Sequence, residues 1–324
     1  MIKRKPDRVI YYARNIALEL VPPFLFRRKL DAILASAGDS DPDYLAWRVN
    51  YYAKIDRRLD LPPGSPRIRD VSWKQSMYYY DFREAARYFP SNMRVSYLFG
   101  DVRAVPTTPS FVKSRPITPG NQNSVLLKLN KFRHYYLPKD PFAFDDKKAM
   151  AVWRGGRNNR QRQRLVRRYR NHPLCDVGHS HGRAGRSEHD AFLHPVEQMA
   201  FRYIISIEGN DVASNLKWIL ASNSLCLMPR PRFETWFMEG RLEAGRHYAE
   251  IADDLGDLEE KILHYERHPD EALAIISNAN DFVRQFREEE REKLISILVV
   301  YKYAVATGQI EPDKRLEAVV GVFP

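Results

Sequence analysis

Long hydrophobic runs are missing from this sequence, and their absence sets the first limit. No stretch approaches the roughly 18 apolar residues that a bilayer-spanning helix needs, so no transmembrane segment is expected. The N-terminal segment MIKRKPDRVIYYARNIALELVPPFLFRRKL has basic residues but no secretory core. Glu19 and the Pro22-Pro23 pair interrupt its apolar residues, and no small-residue cleavage site follows. Its mixture of Arg, Lys, Tyr and Phe suits a membrane-surface helix or an ordinary surface helix alike. Cysteine is scarce: Cys175 and Cys226 form neither a disulfide framework nor a CxxC metal site, which fits a reducing cytoplasm. Internal repeats, low-complexity tracts, a P-loop and a GxGxxG fingerprint are also lacking.

What is present is a globular composition with a strong charge bias. The 324 residues, 44% of them hydrophobic, suit two domains of about 100–200 residues each. Aromatic content of 12%, including 18 tyrosines, argues against disorder. A net charge of +11 favours anionic partners, whether nucleic acid, an anionic membrane or phosphorylated small molecules.

The chain begins helical over 9–60, with breaks at Pro22-Pro23 and around Gly38 to Pro42. LPPGSPRIRD (61–70) is a loop, and a further helix over 74–88 stops before Pro90. Strands are predicted at 94–99, 110–112, 124–129, 149–153, 201–207 and 224–228, with helices over 158–170 and 212–221. This alternation implies βαβ units, a mainly parallel sheet and an α/β fold. The polar, proline-containing stretch 138–148 reads as a linker. Asp257 with Glu260 suggests a capping box, His268-Pro269 a break, and 270–306 one long helix.

Several positions could carry chemistry. Asp101 follows Gly100 at the carboxyl end of a predicted strand, where ligands of open α/β sheets gather, and a carboxylate there can take a proton from a hydroxyl. Gly-Asp is equally ordinary turn chemistry. Arg154-Gly155-Gly156-Arg157 turns out of a strand into a helix, so its backbone N–H groups and arginines suit a phosphate. The basic segment RNNRQRQRLVRRYR (157–170) is either an anion-binding helix or a solvated face. In Glu208-Gly209 to Lys217, Ser214 and the first-turn amides could hold a diphosphate. Lys217 could neutralise a leaving nucleotide, and Glu208 could accept from ribose. His179, His181, His189 and His194 crowd one stretch without zinc spacing, and Asp39, Asp41 and Asp43 read as turn and cap residues, so no metal site is expected.

Taken together, FGDVRAVPTTPSFVKSRPI (99–117), NSVLLKLNKFRHYY (123–136), AVWRGGRNNRQR (151–162), FRYIISIEGNDVASNLKWILASNSLCLM (201–228) and the 233–262 segment resemble glycosyltransferase family 90. That family contains bacterial lipopolysaccharide core transferases of the LpsA type, fungal capsule xylosyltransferases and animal protein O-glucosyltransferases, and the likeness is to the bacterial branch. The resemblance implies a GT-B architecture of two Rossmann-like domains facing a cleft, with the acceptor in the first and a UDP-sugar in the second. The implied domains are 1–145 and 146–290, with a helical segment 291–324 packing back on the first. The resemblance also implies an inverting, metal-independent sugar transfer without a cofactor, Asp101 as catalytic base, Arg154 and Gly155 in the family's Arg-Gly turn, and Lys217 on the donor-site helix. Arg103, Lys113 and Arg115 are expected on the acceptor side.

Asn215 stands where animal members carry an arginine, and Ser214 is displaced by one position from their serine, leaving Arg157, Arg160, Arg162 and Arg164 as candidate diphosphate cations. The expected partners are a UDP-sugar, a glycolipid or glycan acceptor and an anionic membrane surface, with the protein at the cytoplasmic face of the inner membrane and no nucleic acid bound. Capsule or exopolysaccharide synthesis is the alternative within the family. A nucleic-acid-binding protein built on the 157–170 helix is the alternative outside it.

Overall fold

The computed structural model describes residues 5–38, 41–180 and 192–321. His181 and His189 of the histidine-rich stretch, and Asp39, lie outside them. The chain forms two compact units, Met1–Phe132 with Glu288–Pro324, and Arg133–Arg287.

The first unit opens with helices Lys5–Glu19, Pro23–Gly38 and Pro42–Tyr52. Both breaks fall where the sequence places them. Proline lacks an N–H and is tolerated only in a first helical turn, where Pro23 and Pro42 sit. Asp41 caps the third helix by accepting from the Tyr44 amide at 3.0 Å. Helix Ser76–Ala86 follows, then a parallel three-stranded sheet of Tyr97–Leu98, Ser110–Val112 and Ser124–Leu126, with Ser110–Val112 central. The predicted strand 94–99 is shorter in fact, pairing only over Tyr97–Leu98.

The end of the chain completes this unit's core. Helix Glu289–Ala306 is buried at every position from Ile297 to Ala306. A helix apolar on all sides is one enclosed on all sides. Tyr303 packs on Phe111 at 4.5 Å between ring centroids, and its hydroxyl accepts from the Ser96 amide and donates to the Pro109 carbonyl. Arg48 and Glu292 make a fully enclosed ion pair at 2.7 Å, and the Tyr44 and Tyr52 hydroxyls accept further guanidinium protons.

The expected single helix over 270–306 is two, Pro269–Arg284 and Glu289–Ala306. Residues 285–288 contain no helix breaker. The interruption is tertiary, because the first helix buries Ala272, Ile275, Ile276 and Ala279 in the second unit and the next is enclosed in the first.

The second unit is built on five parallel strands in the order Cys175–His179, Lys148–Gly155, Phe201–Ile205, Leu225–Met228, Ala249–Glu250. In chain sequence this is 2-1-3-4-5, a doubly wound order. The inner strands are continuously apolar because helices cover both faces. Trp153, Tyr203, Ile205 and Leu227 meet Leu165 and Tyr169 of helix Arg160–Tyr169 and Ile262 of helix Leu258–Arg267 in one core.

Residues 138–148 are fixed within this unit. The Asp140 carboxylate accepts from the Phe142 amide, the Asn223 amide and the buried Lys147 ammonium. The expected capping box at Asp257 does not form, since Asp257 instead accepts from the Ala252 amide at 2.8 Å. A reciprocal cap occurs at helix Pro195–Gln198, where His194 Nδ1 accepts from the Val196 amide and Glu197 accepts from the His194 amide.

Candidate functional site

Two sets of residues occupy carboxyl edges of parallel sheets, one in each unit. In the first unit, strand Tyr97–Leu98 runs into Gly100, whose φ of +110° is a conformation that side chains disfavour. The chain turns there and presents Asp101. Its carboxylate, one-third exposed, accepts from the Lys113 ammonium at 2.6 Å. Lys113 directly follows the central strand and is itself buried. A cation anchored at the end of the neighbouring strand therefore fixes the orientation of this carboxylate.

The other two residues expected beside it differ in setting. Arg103 is exposed. Arg115 is fully buried, and donates to the main-chain carbonyls of Tyr51, Tyr52 and Ser124, tying the end of helix Pro42–Tyr52 to the sheet.

In the second unit the switch point of the sheet lies between strands Lys148–Gly155 and Phe201–Ile205. Arg154 and Gly155 prove to be the last strand residues rather than turn residues. The Arg154 guanidinium is held by the Asp176 carboxylate at 2.7 Å and the Asp176 carbonyl at 2.8 Å on the neighbouring strand. Gly155 admits no side chain, because a Cβ there would come within 2.4 Å of the Trp153 ring. At Gly156 the nearest atom to a Cβ would be 3.8 Å away, so this glycine is sterically free. Arg157 is exposed.

The crevice at the switch point is laced together. Asn159 caps helix Arg160–Tyr169 by accepting from the Arg162 amide, while its own amide group donates to the carbonyls of Glu208 and Gly209. Arg162 donates to the carbonyls of Ile207 and Glu208 at 2.7 and 3.0 Å. Burial, and then repulsion from Arg133, pull its guanidinium down to about 10. Gly209 lies against this pair, since a Cβ there would stand 3.0 Å from Asn158 Nδ2 and 3.3 Å from Arg162.

Beside the laced crevice, at the ends of strands Phe201–Ile205 and Leu225–Met228, is a groove. Ser206, Glu208, Val212, Ala213 and Glu239 line it, and the segment Pro229 to Phe233 forms a wall. Glu208 accepts from the Arg232 and Phe233 amides at 2.9 and 3.1 Å and from the Arg232 side chain at 3.0 Å. Burial pushes its carboxyl up, and those amides pull it back. The side chains of Arg230 and Arg232 are 80% and 62% exposed.

The helix expected from Val212 begins only at Leu216 and ends at Leu220, so the backbone around Ser214 is turn rather than first helical turn. Asn215 donates to the Ile205 carbonyl and accepts from the Ser206 hydroxyl. Lys217 is fully buried. Its ammonium bonds to Glu239 at 2.7 Å, enclosed between the rings of Phe237 and Tyr135. Glu239 also accepts from the Thr235 amide and hydroxyl, so Lys217 fixes a wall residue of the groove from behind.

Sequence reasoning missed Arg230 and Arg232, although PRPRF directly after an apolar strand was the available signal. Among the described residues no three His, Cys, Asp or Glu side chains converge as metal ligands do. His179 is a buried strand-end residue with its Nδ1 3.4 Å from the Gly155 carbonyl.

The family model for glycosyl transferase family 90 matches residues 134–306, more than half of the chain. The chain is also 46% identical over 305 residues to the O-glucosyltransferase LpsA of Dichelobacter nodosus, covering 93% of this chain and 96% of that protein. The chain belongs to glycosyl transferase family 90. It is therefore a glycosyltransferase, an enzyme with a sugar donor and an acceptor as substrates. The family match takes in the groove, the laced crevice and helix Glu289–Ala306, which closes the first unit.

Proposed function

We propose that this family 90 enzyme transfers glucose from UDP-glucose to a hydroxyl of a lipopolysaccharide core or related surface glycan, inverting the anomeric carbon without a divalent metal ion or other cofactor. Glucose and an oxygen acceptor are taken from the name of the Dichelobacter nodosus relative. The UDP donor, the inversion and a GT-B arrangement of Rossmann-like halves rest on the family resemblance. The observation that carries the donor assignment is the groove at the carboxyl edge of the 2-1-3-4-5 sheet, where ligands of such sheets bind.

In this reading the groove takes the nucleotide diphosphate. Arg230 and Arg232, the turn amides around Ser214 and the Arg154-Gly155-Gly156-Arg157 segment supply counter-charge and hydrogen bonds. Glu208 and Gly209 border the nucleoside, and Lys217 positions Glu239. Asp101, oriented by Lys113, takes the acceptor proton as the hydroxyl oxygen attacks C1 and the C1–O bond to the diphosphate breaks. Arg103 and Lys113 stand on the acceptor side, and Arg115 holds the backbone beneath them. Fixed donors aimed at the departing diphosphate act where a metal otherwise would, each worth about 3–4 kcal/mol in the best cases. The enzyme works at the cytoplasmic face of the inner membrane, where a glycolipid acceptor is presented. Family membership replaces the reading of the 157–170 segment as a nucleic-acid helix, and three of its residues, Leu165, Val166 and Tyr169, are core.

The test is turnover of a panel of nucleotide sugars by the full chain with EDTA present. UDP release from UDP-glucose, unchanged by the chelator, is the expected result. Asp101→Asn is expected to lower turnover about 10²–10⁴-fold with UDP-glucose affinity retained. Turnover that needs added Mg²⁺ or Mn²⁺, or an Asp101→Asn enzyme with full activity, overturns the mechanism.

A further inference from the structure

The N-terminal helix Lys5–Glu19 is inverted relative to an ordinary surface helix. Tyr11, Tyr12 and Glu19 face the protein with their polar atoms. The Tyr11 hydroxyl donates to Asp81 at 2.8 Å, the Tyr12 hydroxyl bonds with Ser76 at 2.9 Å, and Glu19 pairs with Arg83 at 3.2 Å and Arg87 at 3.5 Å. Its other face carries Val9, Ala13 and Ile16, the i, i+4, i+7 spacing of a single stripe, and Leu20 follows directly after its last turn. Of these, Val9, Ile16 and Leu20 are 67%, 51% and 81% exposed.

The surface continues into helix Pro23–Gly38. Phe24 and Leu25 are exposed, whereas Phe26 turns inward onto Tyr88. Six of the thirteen exposed large hydrophobic side chains among the described residues fall between Val9 and Leu25, so this is a concentration rather than scatter. Exposed cations accompany it: Arg8 and Arg14 on the first helix, Arg27, Arg28 and Lys29 on the second.

We infer that this face seats on an anionic phospholipid surface. Apolar side chains that project outward beside arginines match the two layers of a lipid interface, acyl boundary and negative headgroups. A second copy of the chain fits poorly, because a self-contact would bring the same cations together. Among the described residues no helix is long and apolar enough to cross a membrane, so contact by a face is the mode that this surface offers. The inference deepens the proposed membrane location, and rests on the proposed reaction only for the idea that an acceptor waits there.

Co-sedimentation of the full chain with vesicles tests it without donor or acceptor, so a failed sugar-transfer assay and a failed vesicle assay are separate results. The chain is expected to pellet with phosphatidylcholine vesicles containing phosphatidylglycerol, to stay in solution with phosphatidylcholine alone, and to be released by high salt. Ile16→Glu with Leu20→Glu is expected to weaken partitioning at least about tenfold at unchanged Tm, since both side chains are exposed. Arg27→Gln with Arg28→Gln is expected to weaken it and flatten its salt dependence. A wild-type chain left in the supernatant, or glutamate variants that pellet undiminished, would overturn the proposal. So would a concentration-dependent dimer in sedimentation velocity that the glutamates abolish, because the face would then belong to a second copy.

Discussion

Gly155 and Gly156 look interchangeable in the sequence, yet alanine is expected to act very differently at the two. At Gly155 the new methyl carbon would sit 2.4 Å from Cζ2 and 2.9 Å from Cη2 of Trp153, against an ordinary carbon–carbon contact of about 3.5–4 Å. The indole has little room to yield. It is 1% exposed, with the Arg162 guanidinium 5.7 Å from its ring centroid and His179 edge-on at 6.0 Å. Overpacking of this kind costs about 1–3 kcal/mol. For a unit of this size that lowers Tm by roughly 2–4 °C per kcal/mol. At Gly156 the nearest neighbour, Asn158 Oδ1, is 3.8 Å away, and its alanine variant should remain within about 0.5 kcal/mol of the wild type. Urea denaturation followed by tryptophan fluorescence and circular dichroism measures both. A cycle with Trp153→Phe supplies the internal control, because phenylalanine lacks the two offending atoms. Gly155→Ala should cost markedly less on that background. Equal stability of the two alanine variants, or a penalty that persists with phenylalanine, would refute the steric account of this glycine.

Further expectations follow from charges in the two units. Burial pulls the Lys302 ammonium, hydrogen-bonded to Asn50, from 10.5 down to about 8. The folded state bears the cost of charging it below pH about 8, and that cost is relieved as pH rises towards 10.5, where the unfolded chain also loses the proton. Wild type should therefore gain about 3 kcal/mol over this window relative to Lys302→Met in urea titrations at several pH values. Glu292→Gln strips the enclosed Arg48, and Lys128 at 3.7 Å, of a shared counter-charge and should destabilise the first unit by about 3–5 kcal/mol, whereas Arg48→Met and Lys128→Met with Glu292→Leu should cost far less, as measured by thermal unfolding. Arg230→Gln with Arg232→Gln, both exposed at the groove, should weaken UDP-glucose binding in calorimetry at least about tenfold while leaving Tm nearly unchanged.

Local chemistry made much of this architecture legible. Prolines at 23 and 42 announce helix starts, and the apolar runs AVW, YII and LCLM announce buried strands. The strand Cys175–His179 escaped notice because CDVGH mixes polar residues with glycine, and its pairing with Ala151 to Gly155 stabilises what its own composition does not. The break at 285–288 was invisible for a similar reason, since only its assignment to two separate cores ends a segment of good helix formers. In the site, residue type was readable and geometry was not. Asp101 and Glu208 read as carboxylates at strand ends, but nothing in their sequence neighbourhoods discloses Lys113 or the Arg232 amide as partners. By its sequence alone Lys217 reads as a cation facing a ligand. Its enclosure with Glu239 depends on a residue far enough along the chain that no spacing rule links them.

Helix Glu289–Ala306 has a consequence for biosynthesis. A ribosome adding about 5–20 residues per second must translate the whole of Arg133–Arg287 before this helix can emerge. For an interval on the order of ten seconds the early half is a nascent chain with an open core, exposing Phe111 and Phe82, which the mature protein encloses completely. A stop codon near residue 287 should therefore spare the later, contiguous unit and condemn the earlier one to aggregation.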